Sequence, residues 1–162
     1  MQDSIEIVRA QPADVRALIG LNEAVQRLHA AHEPTRFVSD PDPEEVASYF
    51  TQLFESPDRF IDIASVEGEP AGYIVYELRS MAEVVFKHPM QLLYIHQIAT
   101  ARRFRRCGVG RALLAAVEDF ARARGIDRIE LDSYAFNREA HRFFESAGFS
   151  TFKIVMDRRL EP

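Results

Sequence analysis

The chain has one cysteine, Cys107, in 162 residues. That excludes an internal disulfide and any cysteine-built zinc module. No apolar run approaches the roughly 20 residues that a membrane helix needs. The first thirty residues also lack a charged-then-apolar signal pattern, so the expectation is a cytoplasmic protein with no membrane partner. Repeats and low-complexity linkers are missing too. Apolar residues make up 47 % and charged residues 28 %, so disorder, collagen-like repeats and coiled coil fail as descriptions of the whole chain. One domain over residues 1–162 is the expected organisation.

Charge is present but uneven. Twenty Lys and Arg against 25 Asp and Glu leave a net charge of −5. Residues 1–60 hold 11 acidic and 5 basic side chains, whereas residues 61–162 hold 14 and 15. Between residues 99 and 117 lie Arg102, Arg103, Arg105, Arg106 and Arg111, with no acid among them. A compact basic site on an acidic chain suits a small anionic ligand, while a nucleic-acid track needs a broad basic face. No nucleic-acid partner is expected.

Period-two patterning predicts strands at residues 4–9, 59–66, 71–79, 91–100, 127–132 and 149–158. Glu67, Gly68, Glu69 and Pro70 read as the turn of a hairpin. Helical spacing predicts helices that open at residues 11–14 and stop before Pro34, then at 43–55, 109–124 and 138–147. The order, antiparallel at first and crossover units after, predicts a mixed six- to seven-stranded α/β sheet with helices on both faces.

Chemistry concentrates where the basic stretch meets the clearest helix, at Arg102-Arg103-Phe104-Arg105-Arg106-Cys107-Gly108-Val109-Gly110-Arg111. Glycines let backbone N–H groups converge on an oxyanion, and a helix N-terminus adds unpaired donors and a positive dipole. Flanking arginines supply bidentate phosphate contacts. A phosphate-bearing ligand follows. The nucleoside-triphosphate loop, Gly-x4-Gly-Lys-Ser/Thr, is absent. A dinucleotide loop wants Gly or Ala where Leu113 stands, although Glu130 lies where a ribose-binding acid is expected. A dinucleotide-dependent oxidoreductase is therefore one rival reading.

Arg105-x-x-Gly108-x-Gly110 is followed by Leu113-Leu114, Ile129-Glu130-Leu131, Asn137-x-x-Ala140 and Phe143-Phe144-x-x-x-Gly148-Phe149. This ordered series resembles the core of the Gcn5-related N-acetyltransferases (GNAT), over about residues 94–149. The resemblance implies acetyl-CoA as co-substrate and direct transfer of its acetyl group to a primary amine. It further implies that Ile98, Ala99 and Thr100 bond the pantetheine arm through their backbone. Arg105, Arg106, Cys107, Gly108, Val109, Gly110 and Arg111 would hold the pyrophosphate, with Asn137 and Phe144 along the pantetheine.

One position departs from the family. Many members have a tyrosine acid where this chain has Phe144, and phenylalanine donates no proton. Tyr134 or water is left to protonate the departing thiolate. A base must also take a proton from the acceptor amine. Asp132 matches the acid found there in relatives that acetylate N-terminal alanines. His96 stands on the strand that meets the acetyl group, and Glu77 on the strand before it. By simple alternation Tyr94, His96, Ile98 and Thr100 share one face, so His96 is expected to point the way Ile98 does, toward the co-substrate; Tyr94 is counted among the substrate-binding residues. His29 and Phe37 are assigned to the acceptor pocket because their helix–loop segment covers the substrate side in the family. His29 and His32 stand three apart, but no third ligand is evident and no metal is expected. The acceptor is expected to be a small cationic amine or a peptide N-terminus, drawn by the acidic first 60 residues. Because of Phe144, a non-catalytic acetyl-CoA-sensing module is the second rival. Many members of the family are dimers, so a homodimer is an assembly the resemblance allows.

Overall fold

In a computed structural model the described residues are 4–160; residues 1–3 and 161–162 of the expected domain lie outside them. The chain divides into two compact units, one through Asp132 and one from Ser133.

The first unit is a five-stranded sheet in the order β1-β2-β3-β4-β5, flanked by three helices. Its strands are β1 (Ile5–Arg9), β2 (Arg59–Val66), β3 (Glu69–Met81), β4 (Met90–Thr100) and β5 (Ile129–Leu131). The first four run antiparallel to their neighbours, while β5 joins β4 in parallel. The sheet is thus mixed, but it has five strands rather than six or seven. The missing strand is the one expected at residues 149–158, where no regular structure forms.

The β2–β3 hairpin turns on Glu67 and Gly68 alone, both at positive φ (51° and 79°). Two residues of that conformation match the twist of the flanking strands, so Glu69 and Pro70 join β3 instead of the turn. From Ala71 to Tyr76 this central strand is buried on both faces, which explains its unbroken apolar run.

Helices α1 (Val15–His32) and α2 (Pro43–Phe54) cover one face. There Leu18, Leu21, Phe50 and Leu53 pack on Ile61, Ile63, Tyr73, Val75 and Ala99. Asp42 caps α2 by accepting hydrogen bonds from the N–H groups of Glu44 and Glu45. Helix α3 (Val109–Ala123) lies on the other face, with Phe120 against Phe60 and Tyr76. Gly72 sets the depth of that contact. A Cβ there would stand 2.6 Å from the Ala99 carbonyl oxygen and 2.9 Å from Val109 Cγ1.

The second unit contains α4 (Arg138–Ser146). The Asn137 side chain caps this helix by accepting from the Ala140 N–H (3.2 Å). Gly148 follows at φ 91°, and Phe149 returns onto Phe144 with 5.7 Å between ring centroids.

Candidate functional site

The site starts from a defect in β4. Val75 pairs with Gln97 and Tyr76 with Ile95, so His96 is an extra residue with no partner on β3. Such a bulge interrupts alternation. Residues paired across a ladder share a face, so Tyr94 (opposite Glu77), Gln97 and Ala99 lie on the α1/α2 face, and Ile98 (opposite Ile74) on the α3 face. His96 reaches Glu77 and the Tyr94 ring, which puts it with them. The expectation that Tyr94, His96, Ile98 and Thr100 share one face is therefore corrected: the bulge divides them into two pairs.

The same defect ends β5. Its ladder with β4 stops at Ile95 and Leu131, one residue before His96. This is why β5 stops one residue short of the expected end at residue 132; at its start it begins at Ile129 rather than at residue 127. Beyond it, from Gln97 to Thr100, β4 bonds to β3 on one side, and among the described residues no strand continues on the other. An open edge of this kind accepts an extended, amide-bearing chain. Ile98, Ala99 and Thr100 all lie on it.

Beyond Thr100 the chain makes a 3-10 turn at Arg102–Phe104 and then two left-handed residues, Arg106 (φ 64°) and Gly108 (φ 88°). A non-glycine residue at positive φ costs of order 1 kcal/mol and tends to occur where a loop meets a ligand. Gly108 is the N-cap of α3 and caps it with no side chain. The first-turn N–H groups of α3, from Val109 to Arg111, have no carbonyl of their own helix to bond. They retain the donors and the positive dipole end that suit a phosphate. Gly72 ties the two parts together, because the Ala99 carbonyl and the Val109 side chain both approach it.

On the α1/α2 face, His96 Nε2 and Glu77 Oε2 are 2.6 Å apart, and Arg79 Nε donates to the same oxygen at 3.1 Å. Burial alone would raise the Glu77 carboxyl, but the hydrogen bonds from His96 and Arg79 outweigh it and hold its pKa below the ordinary value. Beside this pair, Tyr94 donates its hydroxyl to Asp132 Oδ2 at 2.5 Å, and the Arg79 guanidinium stacks 3.6 Å from the Tyr94 ring centroid. Burial first, and then the hydrogen bond to Asp132, push the Tyr94 hydroxyl up to about 12. Asp132 and His96, two of the expected catalytic residues, thus join Tyr94 and Glu77 in one cluster.

Other members of this face were not evident from the sequence. Gln97 Nε2 donates to Tyr49 (3.1 Å), Gln97 Oε1 accepts from buried Tyr73 (2.8 Å), and Asn22 donates to Tyr73 (2.8 Å). Only the bulge, which needs strand pairing to locate, could have revealed that Gln97 faces this way.

Helix α1 ends with His29 and His32, whose Nδ1 atoms lie 2.8 and 3.0 Å from the Val25 and Leu28 carbonyl oxygens. His29 meets the Phe37 ring at 4.9 Å, so that expected pair is together. Among the described residues no group of three or more His, Cys, Asp or Glu side chains is placed to hold a metal. In the second unit, Tyr134 stacks on Phe136 (5.7 Å) and accepts at its carbonyl from the Asn137 N–H (2.9 Å). A cavity of about 110 Å³ between α1 and the start of α2 is lined by Asn22, Glu23, Gln26 and Asp40. A shallower depression of about 410 Å³ lies by Met81 and Met90. Neither is lined by His96, Asp132 or the glycine loop.

The model of the acetyltransferase (GNAT) family matches residues 23–149. The chain is 31 % identical over 74 residues to an uncharacterized N-acetyltransferase of Bacillus subtilis, YycN, covering 46 % of this chain and 47 % of that protein. It thus spans about half the length of the curated relatives it matches. Among solved structures, a tetramutant of the BH1408 protein from Bacillus halodurans superposes with a TM-score of 0.89 at 25 % identity, over 96 % of this chain and 99 % of that one. An aminoglycoside N-acetyltransferase, AAC(6')-Iy in complex with CoA, shares the fold with a TM-score of 0.77 at 16 % identity, over 100 % and 98 % of the two chains.

Proposed function

The chain belongs to the acetyltransferase (GNAT) family, and from that premise we propose that it transfers the acetyl group of acetyl-CoA to a primary amine. The acceptor we propose is a small cationic amine or a peptide N-terminus. The observation that carries the reading is the meeting at Gly72 of the open β4 edge and the first turn of α3. One element suits an extended pantetheine arm and the other its pyrophosphate.

When bound, acetyl-CoA supplies a thioester carbonyl whose carbon is attacked by the amine nitrogen as the C–S bond breaks. The first-turn N–H groups of α3 and the arginines around them hold the phosphates. His96 takes at Nδ1 the proton that the acceptor ammonium must lose, while its Nε2–H donates to Glu77, which fixes the tautomer and orients the imidazole. Asp132, with Tyr94, offers negative charge to the incoming cation. Phe144 has no hydroxyl, so the leaving thiolate takes its proton from Tyr134 or water.

Ligand-dependent unfolding tests the first half. A ligand that binds only the folded chain stabilises it by about 2.7 kcal/mol at 100 times its dissociation constant. The thermal midpoint should rise with acetyl-CoA and CoA and stay put with NAD and NADP. A rise with the dinucleotides and none with CoA would replace this reading with an oxidoreductase. Release of CoA thiol on adding spermidine, aminoglycosides or peptides tests the second half. Binding with no thiol released by any amine would leave a sensor module. If a cationic acceptor is steered by the acidic face, its kcat/KM should fall as salt rises.

A further inference from the structure

Through the apolar packing of the α1/α2 face runs one line of polar groups. The Asn22 amide donates to the Tyr73 hydroxyl (2.8 Å), Tyr73 donates to Gln97 Oε1 (2.8 Å), and Gln97 Nε2 donates to the Tyr49 hydroxyl (3.1 Å). Tyr73 is fully buried, with its ring edge-on to Phe50 at 5.9 Å. A phenylalanine at position 73 and a leucine at position 97 would leave no buried polar atom to satisfy. A fully satisfied polar network in a core fixes geometry, so the question is what this one fixes.

The line ends at Tyr49, which is 42 % exposed. Its oxygen accepts from Gln97, and among the described residues its own O–H meets no acceptor. Burial raises the Tyr49 pKa against the pull of Arg59, so at neutral pH the proton is in place and the hydroxyl is a donor. Two links join this donor to the open cluster on the same face. Gln97 follows His96 at the bulge, and Arg59, whose charge acts on Tyr49, pairs with Glu77 at 3.8 Å. A guanidinium beside an O–H donor repels a second ammonium group and suits an oxygen. Glu77 and Asp132 nearby disfavour a carboxylate, which leaves an uncharged oxygen.

Building on the acetyl-transfer reading, we propose that Tyr49 is a specificity-determining residue that donates a hydrogen bond to an uncharged oxygen of the acceptor. The chain then selects primary amines that carry a carbonyl or hydroxyl oxygen close to the nitrogen over amines that carry none. Asn22, Tyr73 and Gln97 are positioning residues, since they act through Tyr49.

The test compares CoA release with glycinamide, glucosamine and the oxygen-free propylamine, three amines of the same charge, in the unsubstituted chain and in Tyr49→Phe. The ratio of kcat/KM for an oxygen-bearing amine to that for propylamine should fall about fivefold in the variant, the worth of one hydrogen bond, and chiefly through KM. Loss with glycinamide identifies a peptide-type carbonyl, and loss with glucosamine a sugar hydroxyl. Gln97→Met, which keeps the Tyr49 hydroxyl and removes its anchor, should lower the same ratio by less. An unchanged ratio in Tyr49→Phe, whether all three amines slow together or none does, overturns this inference and leaves acetyl transfer standing. A chain that releases CoA with none of the amines overturns both.

Discussion

On the α3 face of the sheet, Asp62 accepts hydrogen bonds from Tyr76 (2.9 Å) and pairs with Arg9 (2.7 Å). On the opposite face Asp132 accepts from Tyr94 (2.5 Å), while Arg79 stacks on that tyrosine and bonds Glu77. The parts are the same, a carboxylate, a tyrosine and an arginine, but their surroundings differ. Asp62 is 5 % exposed, and Arg9 also bonds the Tyr76 hydroxyl and stacks on Phe60. Its group is closed, with each member already engaged. The second group sits at the bulge where β4 and β5 part, with the His96 and Glu77 side chains 25 % and 21 % exposed. A cluster that solvent and substrate can reach has chemistry to offer, whereas a saturated buried one holds the sheet together.

Substituting Asp62→Ala, which takes the acceptor oxygens away from Tyr76 and Arg9, is the largest expected effect and should register as stability alone. It should cost about 3 kcal/mol, the low end for breaking a buried pair, because the Arg9 side chain keeps 40 % of its exposure. Chemical denaturation gives the value, and the folded fraction should acetylate normally. Glu77→Gln on the open side should do the reverse. It should lower kcat about tenfold, an order of magnitude less than loss of the base itself, with stability changed by under about 1 kcal/mol. Equal effects of the two substitutions on stability and turnover would erase the contrast.

The two carboxylates should also differ in the sign of their pH dependence. Glu77 has its pKa lowered from 4.5, so the stability it lends is complete above that value and is lost as pH falls through its lower folded value. Asp62 has its pKa raised from 3.8, mainly by burial, so its ionisation costs stability as pH rises through that range. Urea midpoints between pH 3 and 6 should show Glu77→Gln flattening the acid-side loss. The smallest effect belongs to Tyr94→Phe, which should destabilise by under about 1 kcal/mol because its partner Asp132 is exposed to water. Calorimetry would expose a larger loss.

Much of this was legible in the residues themselves. The apolar stripe of α3 and the alternation of β2 are local patterns, and both elements lie within a residue of where the sequence puts them. The loop from Arg102 to Arg111 announces itself because glycine and arginine density need no partner to be read. The bulge at His96 was not legible. Two-residue alternation is a property of one strand, whereas a bulge is a property of a pair, and only the pairing of Val75 with Gln97 reveals it. The same reason hid Gln97, Tyr49 and the role of Gly72. At residues 149–158 the alternation is present in the sequence, but a strand also needs a partner, and no regular structure forms there.

The central claim is that His96, within the open cluster, takes the proton while α3 and the β4 edge hold the co-substrate. It is tested most directly by measuring acetyl-CoA affinity and turnover together in His96→Gln. The account predicts an unchanged dissociation constant and a kcat at least about 100-fold lower. Turnover equal to that of the unsubstituted chain, at the same affinity, would contradict it and leave proton removal to Asp132 or to water.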